Sequence, residues 1–198
     1  MSEPNAAIQY HHLVDADAVA RWRTAFIGAY QTVFSQEPYL ERFSPAEADG
    51  IYRKLTSTQD HVTVIATDGP RKLIGFGIGV SLQHKADVAR ELGGLVPIRH
   101  TFYLAELGVL PSYRNQGIGR RLVQERMQRI DGARYSHAVL RMSSLYAPSD
   151  SLYASLGFES MGVSMEVRML RTNGKVTTDR RDFLCQVLSQ VPKTAPLG

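Results

Sequence analysis

Arg114, Gly117 and Gly119 stand in the stretch "LGVLPSYRNQGIGRRLV", where an apolar strand runs through a proline into two glycines one residue apart and then into a helix. A turn of this kind leaves the first N–H groups of the helix unpartnered and pointing outward, with the positive end of the helix dipole behind them. Such a turn holds an anion. Glycine at 117 and 119 removes side chains that would keep a diphosphate from the backbone, and it permits dihedrals that other residues resist. The neighbouring Arg114, Arg120 and Arg121 are expected to add charge-assisted contacts to phosphate oxygens. Just upstream, Glu106 is a carboxylate inside the otherwise apolar "FYLAELGVL". Burial there would raise its pKa toward a value useful for proton transfer.

Two nucleotide designs fail on particular residues. A Walker loop needs Lys-Ser/Thr after its last glycine, and Arg120-Arg121 follows here. A dinucleotide fingerprint needs a third glycine three residues after the second, and Leu122 occupies that position.

The elements that must position these residues read as one α/β domain over 1–198, with its core at about 8–188 and a tail at 192–198. "IQYHHL" is a first strand, and Asp15 opens a helix whose apolar positions Val19, Trp22, Phe26, Tyr30 and Val33 recur every three or four residues. Ser44, Pro45 and Glu47 form a capping box at the start of a second helix. "HVTVIAT" and "KLIGFGIGVSL" make a hairpin across "DGPR". Residues 83–98 are too long for an ordinary connection and carry one helical piece, "KADVAREL". "HTFYLAELGVL", the helix "GIGRRLVQERMQRI" with Ile118, Leu122, Val123, Met127 and Ile130 inward, and "YSHAVLRM" form a strand, helix, strand unit with parallel strands. A short helix ending at Gly157 follows, then "ESMGVSMEVRMLR", a turn at "TNGK", and "RRDFLCQVL", which reads as a last strand although a helix is open there. The sheet is mixed, of six to seven strands flanked by helices.

"GVLPSYRNQGIGRRLV" resembles the acetyl-coenzyme A loop of the GNAT superfamily of N-acyltransferases, whose pattern is Arg/Gln-x-x-Gly-x-Gly/Ala after a strand ending in Val-x-Pro; Arg114, Gly117 and Gly119 fall on it. "SLYASLGF" resembles the family's downstream Tyr-x-x-x-Gly-Phe helix, matched by Tyr153, Gly157 and Phe158. The resemblance implies an acyltransferase that uses acetyl-CoA as cosubstrate and no metal. It implies that the strand before the glycine loop splays from its parallel neighbour, so that Leu107, Gly108 and Val109 offer backbone to the pantetheine arm. Arg114, Asn115, Gln116, Gly117, Ile118, Gly119 and Arg120 would cradle the pyrophosphate. Tyr153 would protonate the departing thiolate. Glu106 is either the base that takes a proton from the amine or a structural carboxylate. The chain departs from the family in one place: Tyr146 stands seven residues before the tyrosine, where members often carry Asn, and Ser143, Ser144 or Ser149 would replace its contacts.

The resemblance places the acceptor site in "YQTVFSQEPYLERF" and residues 83–98. There Glu37, Glu41 and Glu106 would attract a cationic amine, and Tyr30, Phe34 and Tyr39 would line it. The expected reaction is direct acetyl transfer to a primary amine of a small molecule, such as an aminoglycoside-like antibiotic, a polyamine or an amino-acid derivative. Transfer to a protein or peptide amine, or a non-catalytic acyl-CoA sensor, are the alternatives, and the long 83–98 loop favours a lidded pocket over an open groove. Family members often form homodimers.

Composition agrees with this. Hydrophobic residues make up 43% and charged residues 21%, the balance of a folded globular protein. The net charge of +4 suits any polyanion, but no Lys/Arg run interleaved with aromatics points to nucleic acid. No signal peptide or membrane span is read. The lone Cys185 cannot pair within the chain, as expected of a cytoplasmic protein.

Overall fold

Asp15 accepts from the Ala18 N–H and starts α1 (Ala16–Ser35), while Ser44 and Glu47 close both halves of the capping box that starts α2 (Pro45–Thr56). The computed structural model describes residues 7–144 and 147–188, with the side chains of 147–150 outside the description. The strands are β1 (Gln9–His12), β2 (Val62–Asp68), β3 (Lys72–Ser81), β4 (Thr101–Val109), β5 (His137–Ser143), β6 (Glu159–Leu170) and β7 (Val176–Val187). The remaining helices are α3 (Ala86–Glu91), α4 (Ile118–Met127) and α5 (Ala147–Ala154).

The strands form one mixed sheet in the order β1-β2-β3-β4-β5-β7-β6. Only β4 and β5 pair in parallel, since α4 carries the chain back across the sheet between them. Alternation along β2 builds two layers. Val62, Val64 and Ala66 pack with Ile118, Leu122 and Val123 of α4, and Ile65 packs with Phe26, Tyr30 and Val33 of α1 and Tyr52 of α2. A third cluster joins Leu82, Val88 and Leu92 near α3 to Tyr103, Val139 and Phe183.

The segment "RRDFLCQVL" is a strand, paired with β5 on one side and β6 on the other. Phe183 and Leu184 are both buried, as an interior strand covered on both faces requires, so neither a period of two nor one of 3.6 stands out.

Gly108 is glycine because of the core. A Cβ there would lie 2.3 Å from Cζ of Phe76, a fully buried ring packed 4.7 Å from Phe26. Gly108→Ala is expected to cost about 1–3 kcal/mol through overpacking. A fall in the urea midpoint checks this, and an unchanged midpoint would mean that the Phe76 ring yields without loss.

Candidate active site

β4 and β5 are hydrogen-bonded neighbours only at Thr101–Tyr103, paired with His137–Val139. From Leu104 onward β4 runs without β5 beside it, so a row of its backbone groups is left unpaired on that edge. The cause is a bulge. Opposite β3 the register passes from Glu106↔Ile78 to Leu104↔Gly79, leaving Ala105 as an extra residue that bends the strand.

Arg126 of α4 holds the bulge in place. Its side chain is fully buried, and its Nη1 donates to the carbonyls of Glu106 at 3.0 Å and Ile78 at 3.3 Å. It passes over Gly77, where a Cβ would lie 2.7 Å from the Arg126 Nε. Burial lowers its pKa to about 10, and its Nη2 has no hydrogen-bond partner among the described residues. Sequence reading missed this group. Its signal was the spacing 118, 122, 126, which sets an arginine on the apolar stripe of α4.

After β4 the chain turns through Pro111–Tyr113 into the glycine loop. Asn115 (φ 61°) and Gly117 (φ 78°) are left-handed, and Gly117 is the N-cap of α4. A helix that starts in this way leaves its first N–H groups without partners inside the helix. Gly119 needs neither its dihedral freedom nor its small size for packing. A Cβ there would meet only Val109 Cγ2, at 3.9 Å, and one at Gly117 would meet nothing within 4 Å. What these glycines keep clear is space outside the protein, in front of a helix N-terminus, the kind of place where an anion binds.

The arginines differ from the sequence expectation. Arg114 lines the concavity at this loop, but its guanidinium donates to the carbonyls of Glu37 at 2.7 Å and Val33 at 3.3 Å around the C-terminal end of α1 and to that of Val109 at 3.3 Å. Arg121 pairs with Glu125 at 2.6 Å, four residues on along the helix. Arg120 donates to the Ser155 hydroxyl at 2.8 Å, a neutral partner that leaves its charge uncompensated beside the loop. Gln116 donates to the Ser112 carbonyl at 3.3 Å. Of the three arginines, Arg120 alone is left beside the loop without a carboxylate or carbonyl partner among the described residues, because the carbonyls at the end of α1 take up Arg114 and Glu125 takes up Arg121.

Two cavities are lined by successive residues of β4. The first, about 400 Å³, is lined by Leu107, Gly108, Val109 and Arg114, by Asn115, Gly117, Ile118, Gly119 and Arg120 of the loop, and by Val33, Tyr39 and Leu152. The second, about 240 Å³, begins at the preceding residues, Ala105 and Glu106. Tyr30 and Phe34 of α1 wall it, as the sequence suggested. The Tyr30 hydroxyl donates to Glu106 Oε2 at 3.3 Å. Burial raises the Glu106 pKa above its ordinary 4.5, with the charges of Lys85 and Arg141 pulling the other way. Burial, and then Glu106 itself, push the Tyr30 hydroxyl well above its usual range.

Glu41 and Glu37 are not placed to recruit a cationic amine. Glu41 is 2% exposed and ion-paired with Arg181 at 2.6 Å, with Arg171 at 3.9 Å, so its charge is committed to tying the α1–α2 segment to the β6–β7 hairpin. Glu37 does not line the second cavity, and its carbonyl serves Arg114. Tyr39 lines the first cavity and stacks edge-on against Phe34 at 5.0 Å.

Tyr153 is 7% exposed and sits among the core residues beside Phe158, with ring centroids 5.7 Å apart. Its neighbour Leu152 is the α5 residue that reaches the first cavity. Burial raises the Tyr153 pKa and the charge of Arg126 opposes the rise. Ser143 donates to Asp179 at 2.9 Å, and Ser144 to the Arg180 carbonyl at 3.2 Å. Tyr146 and the side chain of Ser149 lie outside the described residues.

No curated protein sequence matches the chain. Solved structures share its fold. The ribosomal-protein-alanine N-acetyltransferase of Brucella melitensis superposes with a TM-score of 0.66 at 18% identity, over 91% of this chain and 99% of that one. The phosphinothricin acetyltransferase of Sinorhizobium meliloti, solved in complex with AcCoA, gives 0.64 at 18% identity, over 96% and 92%. The ribosomal-protein-S18-alanine N-acetyltransferase of Escherichia coli gives 0.63 at 15% identity, over 95% and 98%. Residues 59–160, just over half of the chain and including the bulge, the splay and the glycine loop, match the model of the acetyltransferase (GNAT) domain. The chain belongs to the GNAT family of acetyltransferases.

Proposed function

We propose that the protein moves the acetyl group of acetyl-CoA directly onto the primary amine of a small molecule, and that residues 8–188 form one catalytic domain for this reaction. The observation that carries the proposal is the splay of β4 from β5 after Tyr103, which opens the unpaired strand edge onto the clear space before Gly117 and Gly119. The N–H groups from Asn115 to Arg120 would hold the diphosphate, and the backbone of Leu107 and Val109 would pair with the pantetheine amides. Bound there, the donor supplies a thioester carbonyl.

An N–H of the β4 edge would then face the carbonyl oxygen and stabilise the negative charge that develops on it. Glu106, which lines the second cavity and precedes Leu107 of the first, would take a proton from the amine directly or through a water as the N–C bond forms. Tyr153 would give its proton to the sulfur as the C–S bond breaks. The small second cavity favours a compact acceptor over a protein segment, since pockets for drug-sized ligands run to about 300–1,000 Å³. A cytoplasmic setting belongs to the same reading and rests on the lone Cys185.

Acetyl-CoA is expected to raise the melting temperature of the protein, and an accepted amine to release free CoA thiol; no shift and no thiol release would remove the proposal. Tyr153→Phe is expected to lower kcat about 10- to 100-fold with acetyl-CoA affinity kept, as loss of a general acid requires. Unchanged turnover would mean that water protonates the thiolate.

A further inference from the structure

The second cavity is cationic. Besides Glu41 and Glu106 it is lined by Lys54 of α2, Lys85 beside α3, Arg141 of β5 and Arg181 of β7. Arg181 is neutralised by Glu41 at 2.6 Å and Asp179 at 3.0 Å. Arg141 has a looser partner, Asp87 at 3.6 Å on the exposed side of α3. Lys54 and Lys85 have no ion pair among the described residues. Glu106 is then the one carboxylate of this lining without an ion pair among the described residues; the charges of Lys85 and Arg141 act on it, and its neighbour Tyr30 is a hydroxyl. A polycation such as a polyamine or an aminoglycoside would meet like charge there, at a cost that argues against it.

Resting on the acetyl-transfer reading, we infer that the acceptor is a zwitterionic, amino-acid-like amine whose carboxylate lies against Lys85 and Arg141 while its amino group faces Glu106. The arrangement gives each end of such a molecule an opposite charge within one small cavity. Ile51, Leu55, Val167 and Met169 leave an apolar wall for its side chain. The predicted substrates are therefore amino acids with apolar side chains. The raised pKa of Glu106 agrees with this, because a carboxyl surrounded by cations and still pushed up is poised to accept a proton from the ammonium end.

The test compares matched amines in an acetyl-CoA-dependent thiol-release assay: phenylalanine with phenethylamine, methionine with its decarboxylated amine, and leucine with isoamylamine, with spermidine alongside. For at least one pair the carboxylated member is expected to have a kcat/KM about tenfold or more above its partner, the effect of one well-placed charge contact. Lys85→Ala is expected to raise KM for the carboxylated member and leave KM for the decarboxylated one, and Lys85→Glu to invert the preference. Equal or better use of the decarboxylated amines or of spermidine overturns the inference, as does a ratio that neither Lys85 variant changes. If acetyl-CoA still shifts the melting temperature while no carboxylated amine is acetylated, the inference falls and the donor site stands. If acetyl-CoA causes no shift and no amine releases thiol, the acetyl-transfer reading itself falls.

Discussion

Gly119→Glu is expected to lower acetyl-CoA affinity about 100-fold or more, by placing a like charge at the proposed diphosphate site. The substitution is clean because the fold does not need glycine at this position. The nearest atom to a Cβ there is Val109 Cγ2 at 3.9 Å. A carboxylate in the first turn of α4 also interacts favourably with the helix dipole, by about 0.3–1 kcal/mol. The variant should therefore melt at or slightly above the wild-type temperature without ligand and lose the acetyl-CoA shift. Gly119→Ala should keep most of the affinity, since a methyl group brings no charge. Gly117 is a poorer choice for this test: its φ of 78° would add backbone strain to any loss of binding. Calorimetric titration decides the matter, and wild-type affinity in Gly119→Glu would move the diphosphate to another site.

Glu106→Gln is expected to reduce kcat/KM about 100-fold, within the range for removal of a general base. In the proposed role Glu106 works only when deprotonated, and burial lifts its pKa above 4.5. In the wild type the low-pH limb of kcat should lie above the ordinary carboxylate range, and in Glu106→Gln that limb should vanish. The groups facing this carboxyl are Tyr30 from α1, Lys85 beside α3, Arg141 from β5 and Arg181 from β7. Stability should move the other way from activity. A folded-state pKa raised above the unfolded one means that the stabilising contribution is complete below the unfolded pKa and is lost as pH rises through the folded pKa. Above the folded pKa the ionised, half-buried Glu106 therefore costs stability. Glu106→Gln should unfold at the same or higher urea concentration there, with the difference shrinking toward acid pH. Full activity in Glu106→Gln would leave Glu106 a structural carboxylate.

The parts of the fold that local chemistry controls could be read before any coordinates. Asp15 and the Ser44–Glu47 box start their helices where the sequence says. The glycine turn leads from β4 into α4, and the parallel β4–β5 pair follows from the helix between the strands. What could not be read is the competition for charged side chains between segments far apart in the chain. Arg114 finds the Val33 carbonyl 81 residues away, and Glu41 finds Arg181 140 residues away. Both looked free to meet a ligand, and each is taken up by a protein partner. The bulge at Ala105 was also hidden, because it depends on Arg126 reaching the Ile78 carbonyl across a glycine 49 positions earlier, at 77. The cavity at Glu106 has the opposite electrostatic character from the one its glutamates suggested.

In the proposed reaction the cavity before the glycine loop holds the donor, the cationic cavity at Glu106 holds the acceptor, and the acetyl group passes directly between them. The measurement that addresses it most directly is a steady-state assay in which acetyl-CoA and an apolar amino acid are both varied, with CoA thiol and N-acetylated product quantified together. Equal amounts of the two products and intersecting double-reciprocal lines are predicted, as a complex holding both substrates requires. Thiol released without acetylated amine, or parallel lines from an acetylated enzyme, would contradict it.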